Sequence, residues 1–283
     1  MIKADIYMKE SINNILENGF RDINPRPHYK DGTPAHTISV NGITHVYDLS
    51  KNEFPITTLR PIYIKKAIGE ILWIYQDESN NLDLLKEKYG INWWDSWDIG
   101  NRTIGCCYGE TVKRHNLMKN CLKDIKKDPY GRRHIINLWQ EEDFKLLHGL
   151  KPCCYQVQFL VRGQYLDMIL YQRSSDWLVA GNINQMQYVA LLMMAASDCE
   201  YTPGIFTHVI ANQQIYDRHI DNAKELLQRY EEKEMKEYYG ITSEEPVLKL
   251  NPEKKDFYSF GIEDFTLENY SPIKPQLKFE LGI

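Results

Sequence analysis

Hydrophobic and polar positions alternate most strictly in the middle of the chain, and a period of two is the signature of a strand with one face buried. Tyr155, Val157, Phe159 and Val161 fall on one face and Gln156, Gln158, Leu160 and Arg162 on the other. After Arg162-Gly163-Gln164, Leu166, Met168, Leu170 and Gln172 alternate with Tyr165, Asp167, Ile169 and Tyr171. The pattern predicts an antiparallel hairpin. Its outer ends, Cys153 and Arg173, are then neighbours because the chain has doubled back.

Shorter β-rich runs predict strands at Thr37–Val40 and Ile43–Tyr47, joined as a second hairpin by Asn41-Gly42, and another at Gly204–Asn212. Repeats of three and four predict helices. Ile6, Ile12, Ile15, Leu16 and Phe20 form a stripe ending near Gly19, and Ile64, Ala67, Ile68, Ile71, Leu72 and Tyr75 place an amphipathic helix over Tyr63–Gln76. Leu82–Tyr89 adds another, and the nearly all-apolar Asn184–Ser197 must be buried on most sides. A long charged helix runs to about Tyr239 with Asp217 as its expected cap. NPRPHYKDGTPAHT reads as a loop able to close over a ligand, and DPYGRRHIINLW as a turn entering a strand. The alternating residues at the very C-terminus read as ordered at a site or in a sheet. Helices and strands mix without a βαβ rhythm, so the expected fold class is α+β.

Composition narrows the function. Across 283 residues there is no linker-like, low-complexity or repeated stretch, which leads us to expect one domain over 1–283. A net charge of −5 argues against a nucleic-acid partner held by phosphate neutralisation, so any bound phosphate must be met by a local arginine cluster. No signal-peptide core is present, and the longest apolar run, Tyr188–Ala196, is far too short to cross a bilayer. A cytoplasmic protein with no membrane partner is expected. Cysteines 106, 107, 121, 153, 154 and 199 form two adjacent pairs without zinc-type spacing, so no metal and no disulfide are expected.

The candidate chemistry starts at Cys153. A cysteine attacks as its thiolate, and a guanidinium beside it, here Arg173, favours the charged form. From the hairpin alone Cys153 is either such a nucleophile or a small buried apolar residue. Glu70 lies about 100° from the edge of its helix's apolar stripe and reads as a solvated residue paired with Lys66. Arg132 and Arg133 are surface charge or an anion clamp. Trp93, Trp94 and Trp97 are a core plug or a flat surface for an aromatic ligand.

The segments DGTPAHT, FPITT, GEILWIYQ, WDSW, YGE, GRRHI, PCC, YQRSSD, GNINQMQY, IYDRHID, DFYSF, IEDF and the terminal LGI occur in this order. Together they resemble the folate-dependent thymidylate synthase family over nearly the whole chain. The resemblance implies that Cys153 adds to C6 of a pyrimidine nucleoside monophosphate. C5 would then attack the methylene group of the co-substrate 5,10-methylenetetrahydrofolate, and hydride transfer would yield the methyl product and dihydrofolate. It implies that Glu70 organises water and moves protons, and that Tyr108 helps remove the C5 proton. Arg26, Arg173 and Ser174 would bind the phosphate together with Arg132 and Arg133, these two reaching across a homodimer interface. Asp176 and Trp94 would hold the folate ring near Ala180, Arg60 would meet its glutamate tail, and Tyr216 with Gln214 would meet the sugar.

Asn184 would read the base. Its amide offers a donor and an acceptor that match O4 and N3–H of uracil, whereas cytosine presents the opposite pair. Three positions depart from the family pattern: Gln214 replaces a usual histidine, the loop before Tyr108 reads GCCYG, and Ala180 replaces a glycine. An alternative on the same fold is a pyrimidine nucleotide 5-hydroxymethylase acting on dUMP, dCMP or CMP, in which water quenches the exocyclic methylene. A catalytically dead RNA- or nucleotide-binding relative is a third, and intact Cys153, Glu70, Tyr108 and Asn184 argue against it.

Overall fold

A computed structural model describes residues 1–146, 149–242 and 244–283. Helix α1 (Lys3–Asn18) and the two-residue strand β1 (Phe20–Arg21) lead through the loop carrying Arg26 to β2 (Thr37–Asp48). Helices α2 (Ile64–Tyr75), α3 (Leu82–Tyr89), α4 (Gly109–His115) and α5 (Leu117–Lys127) follow. Strand β3 (Ile135–Asn137) and the single turn α6 (Glu141–Phe144) precede the central hairpin, β4 (Cys154–Arg162) and β5 (Tyr165–Gln172). Then come β6 (Ser175–Asp176), a π-helical turn over Trp177–Gly181, α7 (Asn182–Asp198), β7 (Thr202–Tyr216), α8 (Ile220–Tyr238) and a small hairpin of β8 (Val247–Leu250) with β9 (Phe265–Glu268).

The larger sheet has the order β1-β2-β7-β5-β4-β3, with β6 also on β7. Pairing is antiparallel except that β7 runs parallel to β5 and β6, so the expected α+β class is the one observed. The central hairpin turns at Gly163, whose φ of 61° suits a residue without a Cβ. Leu166, Met168, Leu170 and Gln172 alternate inward along β5. Helix α7 packs on this inner face and α2 packs on α7, and both are buried along most of their length. A second core joins Met8, Ile12 and Ile15 of α1 to Ile210 and Ile215 of β7 and Leu226 of α8.

Three expectations need correction. Asn41-Gly42 makes no hairpin: β2 is one strand paired with β7 in unbroken register from Thr37↔Tyr216 to Asp48↔Ile205. A full-length ladder outweighs a local turn preference, and Gly42 keeps its left-handed φ of 72° inside the strand. The inward positions change parity there on both strands: His45 and Tyr47 give way to Ile38 and Val40, and His208 and Ile210 to Gln213 and Ile215. Phe20 does not extend the α1 stripe, because α1 stops at Asn18 and Phe20 is exposed in β1. Asp217 does not cap α8. It opens a separate 3-10 turn and accepts the Tyr29 hydroxyl at 2.6 Å. The strand expected over Gly204–Asn212 is longer at both ends, and the added turn of chain carries Gln214 and Tyr216 to the site.

Candidate active site

A cavity of about 770 Å³ opens where the ends of β4, β5, β6 and β7 meet α2 and the start of α7. The hairpin brings its two ends together as its alternation requires: the Arg173 N–H donates to Cys153 O at 2.9 Å. Arg173 Nη2 then lies 3.4 Å from Cys153 Sγ. The guanidinium is held by Pro152 O through Nε at 2.9 Å and by Lys151 O through Nη2 at 2.8 Å, and among the described residues Nη1 has no partner. Burial raises the Cys153 thiol above its ordinary pKa, opposed by the charges of Arg173 and Arg26. The expected lowering by Arg173 is therefore outweighed in this state, because the protein around the sulfur removes more hydration than one guanidinium replaces.

Glu70 overturns its expectation most clearly. It is 5% exposed, accepts from Trp93 Nε1, and has no bond to Lys66. Desolvation lifts its carboxyl to about 7. The helix leaves it no solvated face, since α2 is buried from Ala67 through Tyr75. Tyr108 precedes α4 with φ 47° and ψ −112°, a strained backbone for a side chain with a Cβ. Its hydroxyl accepts the Cys153 N–H at 2.9 Å, and burial keeps the phenol neutral far above its usual pKa.

Arg26, Ser174, Asp176, Ala180, Asn184, Gln214, Tyr216 and Trp94 all line the same cavity. Trp94 packs edge-on to Tyr108 and Trp97 at 5.3 and 5.6 Å, so the tryptophans serve both core and cavity wall. The carboxyl of Asp176 is pushed by burial up to about 7. The C-terminus is ordered at the site: His28 and Ile283 exchange backbone bonds at 2.9 and 3.0 Å, and Leu281, Gly282 and Ile283 line the cavity.

Three expected residues lie elsewhere. Arg60 is 2% exposed and sits behind the wall, where Nη2 donates to Leu178 O at 2.6 Å; the carbonyls of the π-helical turn take the place of a ligand's carboxylate. Arg132 and Arg133 are exposed, precede β3 rather than opening it, and do not line this chain's cavity. Gln172 and Gln187 were not foreseen. Gln187 stands one turn beyond Asn184 and accepts from its Nδ2 at 3.0 Å, a neighbour that helical spacing could have supplied.

The family model described as thymidylate synthase matches residues 6–283. The chain belongs to the thymidylate synthase family. It is 48% identical over 289 residues to the thymidylate synthase of Lactococcus lactis subsp. cremoris (strain SK11), all of each chain being covered. The identity to that of Streptococcus suis (strain 05ZYH33) is also 48%, again over all of both chains. The solved thermostable thymidylate synthase A from Bacillus subtilis is 34% identical and superposes with a TM-score of 0.88 over 99% of each chain. The α+β architecture is that of the family, and membership makes the chain a methyltransferase. Among the described residues no His, Cys, Asp and Glu group could hold a metal, and no helix is long and apolar enough to cross a membrane.

Proposed function

We propose that the chain methylates dUMP at C5 to give dTMP, with Cys153 as nucleophile and 5,10-methylenetetrahydrofolate as co-substrate. The observation that carries this reading is the thiol of Cys153, 3.4 Å from Arg173 and on one cavity wall with Tyr108, Glu70 and Asn184. Arg173 and Arg26 stabilise the thiolate as it adds to C6, and electron density moves through C5 to O4, where the Asn184 amide donates. Glu70, with a pKa of about 7, both holds and releases protons at neutral pH. Tyr108 is too buried to act as a phenolate. With its oxygen accepting from the Cys153 backbone, its own proton is free to order the water that takes the C5 hydrogen. Loss of the Cys153–C6 bond returns the thiolate.

The wall fits the co-substrate. Trp94, Trp97, Ile74, Val179 and Ala180 offer apolar surface, and Asp176, half-buried with Oδ1 accepting from the Val179 N–H at 3.4 Å, has its other oxygen suited to the N–H groups of a pterin ring. When bound, 5,10-methylenetetrahydrofolate supplies the one-carbon unit and the hydride that reduces it to methyl. Trp94 keeps water from the reacting carbon, which favours methyl over hydroxymethyl. Arg132 and Arg133 belong to this reading through a homodimer: they are exposed here, and each would complete the phosphate site of the partner subunit. The test is to incubate the protein with 5,10-methylenetetrahydrofolate and each of dUMP, UMP, dCMP and CMP, and to identify products by mass. Formation of dTMP and dihydrofolate one for one is expected. Hydroxymethyl nucleotide beside unoxidised tetrahydrofolate would favour the hydroxymethylase instead.

A further inference from the structure

A side-chain amide is ambidextrous. Turned one way, Asn184 matches uracil; flipped by half a turn, the same two atoms match the acceptor at N3 and the amino donor of cytosine. Selectivity therefore requires that the amide be unable to flip. Gln172 Nε2 donates to Asn184 Oδ1 at 3.2 Å, and Asn184 Nδ2 donates to Gln187 Oε1 at 3.0 Å. Gln172 could flip too unless both of its own ends are held, its nitrogen by Ser174 O and its oxygen by a group further back.

A chain of buried polar groups leads away from the cavity to the far side of the fold. Gln172 Oε1 faces His208 Nε2 at 2.8 Å, and His208 Nδ1 faces Gln185 Nε2 at 3.2 Å. The same Gln185 nitrogen reaches His45 Nδ1 at 3.2 Å, and His45 Nε2 reaches Ser11 Oγ at 3.2 Å. None of Gln172, His208, Gln185, His45 and Ser11 is more than 4% exposed, and of the five only Gln172 lines the cavity.

Every polarity in this chain follows from one fixed point. Ser174 O can only accept, so the Gln172 atom 2.9 Å from it is the nitrogen, and the oxygen must face His208. His208 therefore carries its proton on Nε2. Burial holds both imidazoles neutral, His45 at about 4 and His208 well below the usual histidine value. Each bare Nδ1 then accepts one of the two Gln185 N–H donors. Gln185 is thereby oriented too, its nitrogen toward the bare His208 Nδ1 and its oxygen toward Tyr47 at 3.4 Å and Asn182 Nδ2 at 3.3 Å, both of which can donate. Reversing any amide would leave buried groups donor to donor or acceptor to acceptor.

We propose that His208 and Gln185, which do not reach the cavity, are positioning residues for base selection: they hold Gln172, and through it Asn184, in the one orientation that reads uracil. The inference rests on the reading of Asn184 given above. His208→Met removes the donor to Gln172, and Gln185→Met removes the donor that fixes His208. Each should lower the ratio of dCMP to dUMP dissociation constants, measured calorimetrically, by about tenfold, the scale of one buried hydrogen bond. Phe206→Leu, a packing change on the same strand face, should leave the ratio unmoved. The imidazole ¹⁵N shifts of the unsubstituted protein at neutral pH should show both His45 and His208 as neutral Nε2–H tautomers. An Nδ1–H tautomer at either residue overturns the relay even if neither variant folds. So does a folded His208→Met or Gln185→Met protein that keeps the original ratio. An unsubstituted protein that binds dCMP as tightly as dUMP sinks the reading of Asn184 itself.

Discussion

At the scale of single residues the site is made by burial acting on charge. Cys153 and Glu70 are both ionisable and both pushed toward their neutral forms by the protein around them. Cys153→Ser should abolish turnover yet leave dUMP binding within a few-fold, because a serine hydroxyl stays protonated at neutral pH. Cys154→Ser, a change at a buried neighbour off the cavity's reacting groups, should keep most activity; a reversed outcome in a steady-state assay would reassign the nucleophile. Glu70 gives a prediction in stability. Its carboxyl titrates at about 7 in the folded chain against 4.5 unfolded, so the folded state retains a proton that the unfolded state has released. Stability must then fall as pH rises from 4.5 to 7, by about 3 kcal/mol from this group. Glu70→Gln removes that loss, and the melting temperature of the unliganded variant relative to the parent should climb between pH 5 and pH 8. A constant difference would mean that the carboxyl is solvated after all. Helical periodicity suggested such solvation, since it locates a residue on its own helix and cannot say what packs against the opposite side. The Cys153–Arg173 pairing was legible for the opposite reason: both ends belong to one local hairpin.

The elements were legible where one face is buried and the pattern repeats, as in β4, β5, α2 and α3. They were misread where a distant partner overrides a local signal. Asn41-Gly42 carries strong hairpin chemistry, but β7 supplies a partner along all of β2, and the glycine instead allows two paired strands to exchange their inner and outer faces together. That exchange buries Gln213 and turns Gln214 and Tyr216 toward the cavity. An added Cβ at Gly42 meets nothing within 4 Å, so the cost of Gly42→Ala is conformational. It should be about 1 kcal/mol for an L residue held at positive φ. Urea unfolding should show a lower midpoint with an unchanged slope. Because the switch sets where Gln214 and Tyr216 point, KM for dUMP should rise more than kcat falls. An unaltered midpoint would show that the strand relaxes to ordinary β geometry without loss, and that the face exchange does not depend on the glycine.

On the scale of the whole molecule, the outer face of the larger sheet sets the open question of assembly. Its inner face is covered by α7 with α2 behind it, while Ile169, Tyr171 and Val209 on the other face remain half-exposed, and Ile135 at the β3 edge is 42% exposed. The proposed homodimer gives that face a partner and gives Arg132 and Arg133 an anion to meet. Neither arginine reaches the cavity of its own chain, so the dimer reading makes each site depend on two subunits. Arg133→Ala should then raise KM for dUMP sharply without unfolding the chain, as loss of a phosphate contact does. The decisive experiment mixes two inactive proteins, Cys153→Ser and a doubly substituted Arg132→Ala, Arg133→Ala chain, after denaturation and refolding together. In a mixed dimer the chain with an intact Cys153 receives its arginines from the Cys153→Ser subunit, so one of the two sites is whole. With random pairing half of the dimers are mixed, and about a quarter of the parent activity should return. Recovery no greater than the sum of the separate proteins would place the arginines outside the catalytic unit and leave phosphate binding to Arg26, Arg173 and Ser174 of a single chain.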